Sequence, residues 1–288
     1  MFTLDGVIDL HVHAGPDVLG RVGDDIDIAT GCRDAGMAGM AVKAHLESTS
    51  SRAYHTNKAV PGFRYIGGVC LNYPVGGINP AAVDACLRLG GRVVWMPSGH
   101  SRFHAEVTGA LGNWGYSDMD IYNPADAAGI SVLDADGELT PATREVVALV
   151  HEHDALLATS HLSPQEILAL AAYCRPLGVK LIVTHIRWTP EYDLELARRA
   201  CELGAVIEIT CSTVGGYTNR FPIDEVVATI DELTPQQLVI ASDAGGVRHP
   251  RPHEALRVLA SNLWERGVSE AALTTMLKDN PARLIAGG

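Results

Sequence analysis

The sequence predicts an α/β protein, a single (β/α)8 barrel of the TIM type. Two observations carry this. Eight short apolar runs alternate with helical patterns along nearly the whole chain, and each run is rich in Val, Ile, Leu and Ala rather than alternating apolar with polar. Continuous apolar runs suit parallel strands covered on both faces. Eightfold strand–helix alternation favours a closed barrel over an open doubly wound sheet. The 288 residues are enough for two average domains, but α/β barrels routinely use that length as one.

The strands are expected at 7–13, 39–45, 64–72, 91–97, 155–162, 180–186, 205–210 and 237–243. Between them, helix starts are legible. Ser163-Pro164-Gln165-Glu166 reads as an N-cap serine, a first-turn proline and a capping-box glutamate, and Thr189-Pro190-Glu191 repeats the cap-plus-proline device. Helices are expected to stop at Gly36, Gly178 and Gly204, each just ahead of a strand. After the last strand, 253–267 and 269–285 read as two closing helices. One stretch breaks the rhythm. Residues 98–140 form an insertion after the fourth strand, with a small hairpin expected over Val132–Leu139 around an Asp-Gly turn. An insertion on that side of a barrel overlies its catalytic face, as a lid or as a surface loop.

Bulk composition excludes several classes. A net charge of −12 argues against nucleic acid and anionic membrane as partners. The longest uncharged stretch, Tyr65 to Val83, is broken by glycines and prolines, unlike a membrane helix. The six cysteines contain no CxxC pair and sit inside apolar patterns, which suits free thiols in a reducing compartment. With no leader visible at the start of the chain, the expectation is a cytoplasmic protein acting on a small-molecule substrate. Barrels of this kind often form homo-oligomers, though no interface is legible.

The chemistry-bearing residues fall at strand ends. His11 and His13 close the first strand two residues apart, so they share a face. His161 closes the fifth, His185 the sixth and Asp243 the eighth. In such barrels the C-terminal strand ends are where active sites sit. Burying such groups without partners costs several kcal/mol, and a shared divalent ion explains all five at once.

This ordered pattern resembles the amidohydrolase superfamily: His-x-His on the first strand, His on the fifth and sixth, Asp on the eighth. The resemblance spans nearly the whole chain, including the closing Asn280-Pro281-Ala282-Arg283-Leu284. The stretches Leu71-Asn72, Gly76-Gly77-Ile78-Asn79-Pro80 and Val94-Trp95-Met96-Pro97 are similar to a small bacterial subgroup. It implies that His11, His13 and Asp243 hold a first ion, while His161 and His185 hold a second or position substrate. Zn is the first expectation, with Mn, Fe or Ni also fitting His and Asp donors.

One departure concerns the bridging ligand. Many two-metal members use a carboxylated Lys ending the fourth strand, where this chain has Trp95-Met96-Pro97. Lys43, one of only four lysines, lies instead in the apolar second strand. Desolvation favours its neutral, CO2-reactive amine, so Lys43 is expected as a carboxylysine bridging two ions. The alternatives are an ion pair with Glu47 and direct contact with substrate. His45, on the same face, would contact substrate or support a ligand. Asp9 would orient a ligand histidine or serve as a buried structural hydrogen-bonding group.

The expected chemistry is hydrolysis of an amide, cyclic amide or ester (lactone) by a metal-activated water, with Asp243 moving the proton and His185 or a second ion polarising the carbonyl. Seven arginines follow strands (Arg21, Arg52, Arg102, Arg187, Arg220, Arg248 and Arg251), and Gly215-Gly216 and Gly245-Gly246 follow the last two. Arginine suits carboxylate or phosphate, so Arg21, Arg187 and Arg248 are expected to bind an anionic substrate. A mononuclear decarboxylase or deaminase is the alternative chemistry, and a non-catalytic metal-binding scaffold the third.

Overall fold

The computed structural model describes residues 2–114, 123–124, 127–214 and 221–286. Its eight strands are all parallel to their neighbours. They are β1 (Ile8–Val12), β2 (Gly39–Val42), β3 (two segments, Arg64–Ile66 and Gly68–Cys70), β4 (Val93–Trp95), β5 (Leu156–Ala158), β6 (Lys180–Val183), β7 (Val206–Thr210) and β8 (Leu238–Ala241). Order in space follows order in sequence. The ring is completed where β8 runs on beside β1: the Asp243 amide donates to His11 O at 2.8 Å and the His13 amide to Ala244 O at 2.8 Å. This is the expected (β/α)8 barrel.

Two cores result from strands apolar on both faces. Ile8, Leu10, Ala41, Ile66, Val93, Trp95, Leu156, Ile182, Val206 and Val239 fill the barrel, and Leu284 and Ile285 of the C-terminal segment join them. A larger layer packs the helices on the outside of the strands. The break in β3 has a steric cause. A Cβ on Gly67 would lie 2.8 Å from Ser50 Cα, because the segment after β2 crosses there, and the Gly68 amide donates to Thr49 Oγ1 at 2.9 Å.

The helices outside the strands follow their caps. The capping box at Ser163 opens α6 (Pro164–Cys174) as expected, and positive φ at Gly36, Gly178 and Gly204 ends the helical stretches before β2, β6 and β7. Thr189-Pro190 opens no helix. The buried Tyr192 ties that segment into a turn through its amide and Thr189 O, and α7 (Leu194–Glu202) is capped by Asp193 instead. The closing region is α10 (Pro252–Glu265), then α11 (Glu270–Thr274), a π turn and α12 (Asn280–Leu284).

The insertion after β4 begins with a short helix, α4 (Arg102–Thr108). The predicted hairpin is present as an antiparallel bridge between Leu133 and Leu139, with the Asp134 amide donating to Glu138 O at 2.9 Å. All six cysteines are free thiols. Among the described residues, no helix is long and apolar enough to cross a membrane.

Candidate metal centre

The barrel gathers the strand-end residues at one mouth. His11 and His13 come from the end of β1, where the register shifts between Asp9 and Val12. Asp9 ties β1 to the chain after β8: its Oδ1 accepts from the His11 amide at 3.1 Å and from the Ser242 amide at 3.0 Å. Asp9 therefore secures the β1–β8 seam and orients no ligand ring. Burial pushes its carboxyl up to about 7, against the hydrogen bonds from Ser242 and His11.

Backbone strain marks the other strand ends. Ser160, His185 and Asp243 adopt φ of 49°, 51° and 48°, a left-handed conformation that costs a non-glycine residue roughly 1–3 kcal/mol. Two of these three are predicted site residues and the third precedes His161. The fold holds them there because the strands on either side are tightly packed.

His11 Nε2 and His13 Nε2 each lie 3.2 Å from Asp243 Oδ1. His11 Nε2 is buried with no hydrogen-bond partner. Neighbouring donors on a tetrahedral zinc with bonds near 2.0 Å stand roughly 3.3 Å apart, so the spacing is that of ligands around one ion. The other ring nitrogens are committed. His11 Nδ1 is 3.2 Å from Glu208 Oε2 and His13 Nδ1 2.7 Å from Lys43 O. With its hydrogen on Nδ1, each imidazole has its Nε2 free to offer a lone pair to the centre. The residues present fit a divalent cation.

His185 and His161 form a second pair, with their Nε2 atoms 3.3 Å apart. His185 Nδ1 is buried and unpartnered, 3.7 Å from Asp243 Oδ2. Electrostatics keep these rings neutral. Burial lowers His13 to about 3, reinforced by Arg21 and opposed by Asp243. Burial likewise takes His185 to about 4 and His161 well below its ordinary value, aided by His104 and His185. For Asp243 burial works upward, but His11, the hydrogen bond with His13 and His185 outweigh it and hold the carboxyl well below the usual range. Ser212 Oγ donates to Asp243 Oδ2 at 2.5 Å.

His13, His161, His185, Ser212 and Asp243 line a cavity of about 250 Å³ with Lys43, His45, Arg21, Trp114 and Trp188 on its walls. Lys43 is 1 % exposed, just past β2. Its expected alternative partner Glu47 bonds Arg52 at 2.9 Å, and no ion pair forms between Lys43 and a described carboxylate. His45 stands beside His13, ring centroids 4.8 Å apart, with Nδ1 3.0 Å from Ser98 Oγ.

The arginines divide. Arg21 reaches the cavity, braced by Asp17 through Nε at 3.0 Å and Nη2 at 2.6 Å. Arg187 lies over the Phe221 ring at 4.8 Å and 3.7 Å from Glu225, beside a separate depression. Arg248 borders a neighbouring pocket with Leu19, Gly20 and Val247. Arg52 is a structural clamp, bonded to Asp25 and to the carbonyls of Ala14, Gly15 and Pro16. Arg102 and Arg251 lie at helix starts and are exposed. Arg220 and Gly215-Gly216 lie outside the described residues.

Three contributors were missed in the sequence. Glu208 is 2 % exposed in the middle of β7. There it supports His11 and accepts from the His185 amide at 3.2 Å. A charged residue between Ile207 and Ile209 is the same signal that singled out Lys43. Ser212 follows from no pattern. His104 comes from the short helix of the insertion.

Whole-chain comparisons find the same fold in solved structures of low sequence identity. An amidohydrolase from Pseudomonas aeruginosa is 14% identical, with 98% of this chain and 96% of that one covered at a TM-score of 0.64. The probable dipeptidase PvdM from the same organism is 13% identical over 98% and 94% of the two chains, TM-score 0.62. The organophosphorus hydrolase of Deinococcus radiodurans is 14% identical over 98% and 92%, TM-score 0.60. At the level of sequence, the chain belongs to a family of unknown function (DUF6282), whose model matches residues 6–208. No curated protein matches it.

Proposed function

We propose that the protein is a metal-dependent hydrolase that adds water across an amide, cyclic amide or ester (lactone) bond of a small anionic molecule. The observation that carries this is the convergence of His11 Nε2, His13 Nε2 and Asp243 Oδ1, with both rings fixed from behind. The fold shared with an amidohydrolase and a probable dipeptidase supports it.

A divalent ion, when bound, supplies a water acidic enough to be a nucleophile near neutral pH and a Lewis acid for the carbonyl. The chain's own residues do the rest. Asp243, ionised in its setting, accepts the proton shed as water attacks and returns it to the departing amine or alcohol. Ser212 holds the oxygen that faces away from the His pair. Arg21 and Lys43, both on the cavity wall, suit an anionic group of the substrate. Trp114 and Trp188 add apolar surface to the same cavity.

Lys43 has two roles open to it, carboxylated bridge or cationic anchor, and the metal count separates them. Two ions per chain and a mass gain of about 44 Da on the native chain mark the bridging carboxylysine. One ion without added mass favours the anchor, and with it the mononuclear decarboxylase or deaminase chemistry. The decisive test of metal dependence is elemental analysis of protein purified without chelators, beside His11→Ala. The wild type is expected to carry Zn, Mn, Fe or Ni. His11→Ala should remain folded, lose the ion of the His11–His13–Asp243 group and lose hydrolysis of an ester and lactone panel. Wild-type protein that takes up no divalent ion would rule the proposal out.

A further inference from the structure

We propose that the insertion after β4 supplies a positioning residue, His104, which fixes the ring of His161 so that its Nε2 lone pair faces the cavity. This rests on the metal-dependent reading above and extends it to a residue outside the barrel.

His104 Nδ1 lies 2.8 Å from His161 Nδ1, and His104 Nε2 lies 2.8 Å from Asn113 O. A carbonyl can only accept, so the His104 hydrogen sits on Nε2. In the neutral ring that is the one hydrogen carried, so its Nδ1 is an acceptor. The hydrogen between the two rings therefore belongs to His161 Nδ1. With that hydrogen on Nδ1, the neutral His161 ring keeps Nε2 as a lone pair on the cavity wall, 3.3 Å from His185 Nε2.

The rest of the insertion enforces this arrangement. Ser101 Oγ donates to His161 O at 2.6 Å and accepts the His104 amide at 2.9 Å, so one side chain both caps α4 and ties it to the residue it serves. Thr108 Oγ1 donates to His104 O at 2.7 Å, and Asn113 Nδ2 donates to Thr108 O at 2.8 Å, closing the turn that presents Asn113 O. Trp188 stacks on both rings, with centroids 4.1 Å from His161 and 5.6 Å from His104. His104 sets the ring in its plane and Trp188 sets the plane. His11 and His13 are held by the same device, using Glu208 and Lys43 O from the barrel itself. Of the described support contacts to His11, His13 and His161, that of His161 comes from the insertion.

The test compares metal affinity in His104→Leu and His104→Gln by competition with a chromophoric chelator, using Zn and Co. Leu removes the acceptor. Gln keeps an oxygen for His161 and an amide hydrogen for Asn113 O. His104→Leu is expected to bind the ion at His161 and His185 about 10–100-fold more weakly, with the His11–His13–Asp243 ion retained as the control for folding. His104→Gln should stay within severalfold of wild type and restore the Co absorption spectrum. Equal affinity in wild type and His104→Leu, or a wild type that holds only one ion, overturns the proposal while leaving metal dependence standing. A wild type that binds no ion fails the earlier reading instead. Nitrogen NMR of the wild-type chain, stripped of metal, gives an answer that needs no variant. His161 is expected with its hydrogen on Nδ1, and a hydrogen found on Nε2 refutes the assignment.

Discussion

At the scale of single residues, the site is a contrast between groups aimed inward and groups that hold them. Glu208 illustrates the second kind, since its carboxylate contacts the far nitrogen of His11 and not the cavity. Burial works to raise its pKa, but His11, their hydrogen bond and His185 outweigh this and hold it below the ordinary value. Glu208→Gln keeps a hydrogen-bond acceptor but removes the charge that strengthens His11 as a donor to a cation. The expected outcome is a folded protein with metal affinity reduced roughly 10–100-fold, read by chelator competition. Unchanged affinity would confine Glu208 to a packing role. The inward groups were legible in the sequence because a His or Asp ending an apolar strand is conspicuous. Their supports were not, because Ser212, His104 and Lys43 O act through spatial neighbourhood that no local spacing encodes. Glu208 is the exception, as a lone charge inside β7.

At the scale of elements, the strand–helix alternation was readable because each strand is apolar on both faces and the helices behind it end at glycine. Boundaries were less so. The predicted strands run several residues past the ladders at β2, β4, β5 and β6, where the chain leaves the sheet to place Lys43, Pro97, His161 and His185. Thr189-Pro190 mimicked a helix start because caps are local signals, and the burial of Tyr192 overrode it. The β1–β8 seam shows what the sequence alone could not price. Gly245 has φ of +127°, and a Cβ there would lie 1.8 Å from His13 O. Gly245→Ala must push apart the backbone that sets His13 against Asp243. It is expected to cost at least about 2 kcal/mol in urea unfolding and to weaken metal binding with it. A variant with wild-type stability and affinity would show the seam to be more compliant than its geometry indicates.

For the molecule as a whole, gathering so many imidazoles in one dry mouth has a consequence for stability. In the chain stripped of metal, burial puts His13 at about 3, His104 and His185 at about 4, and His45 and His161 well below 6.5. In the unfolded chain these rings titrate near 6.5. Below that pH the unfolded state binds more protons than the folded one, so stability is lost as pH falls from 6.5 toward the folded values. Asp9 works the other way: with a folded pKa of about 7 against 3.8, it favours the folded state as pH falls from 7 toward 3.8. Five rings against one carboxyl fix the sign. The lowered pKa values of Asp243 and Glu208 add a further loss only below their unfolded values near 4. The urea midpoint of the metal-free protein is therefore expected to drop steadily between pH 7 and pH 5. Saturating Zn should raise it at pH 7, because the ion binds the folded arrangement of neutral rings and not the dispersed chain. A metal-free midpoint that stays flat or rises over that interval would mean the rings are solvated enough to take up protons in the folded state, and the mouth of the barrel would then be wetter than its burial implies.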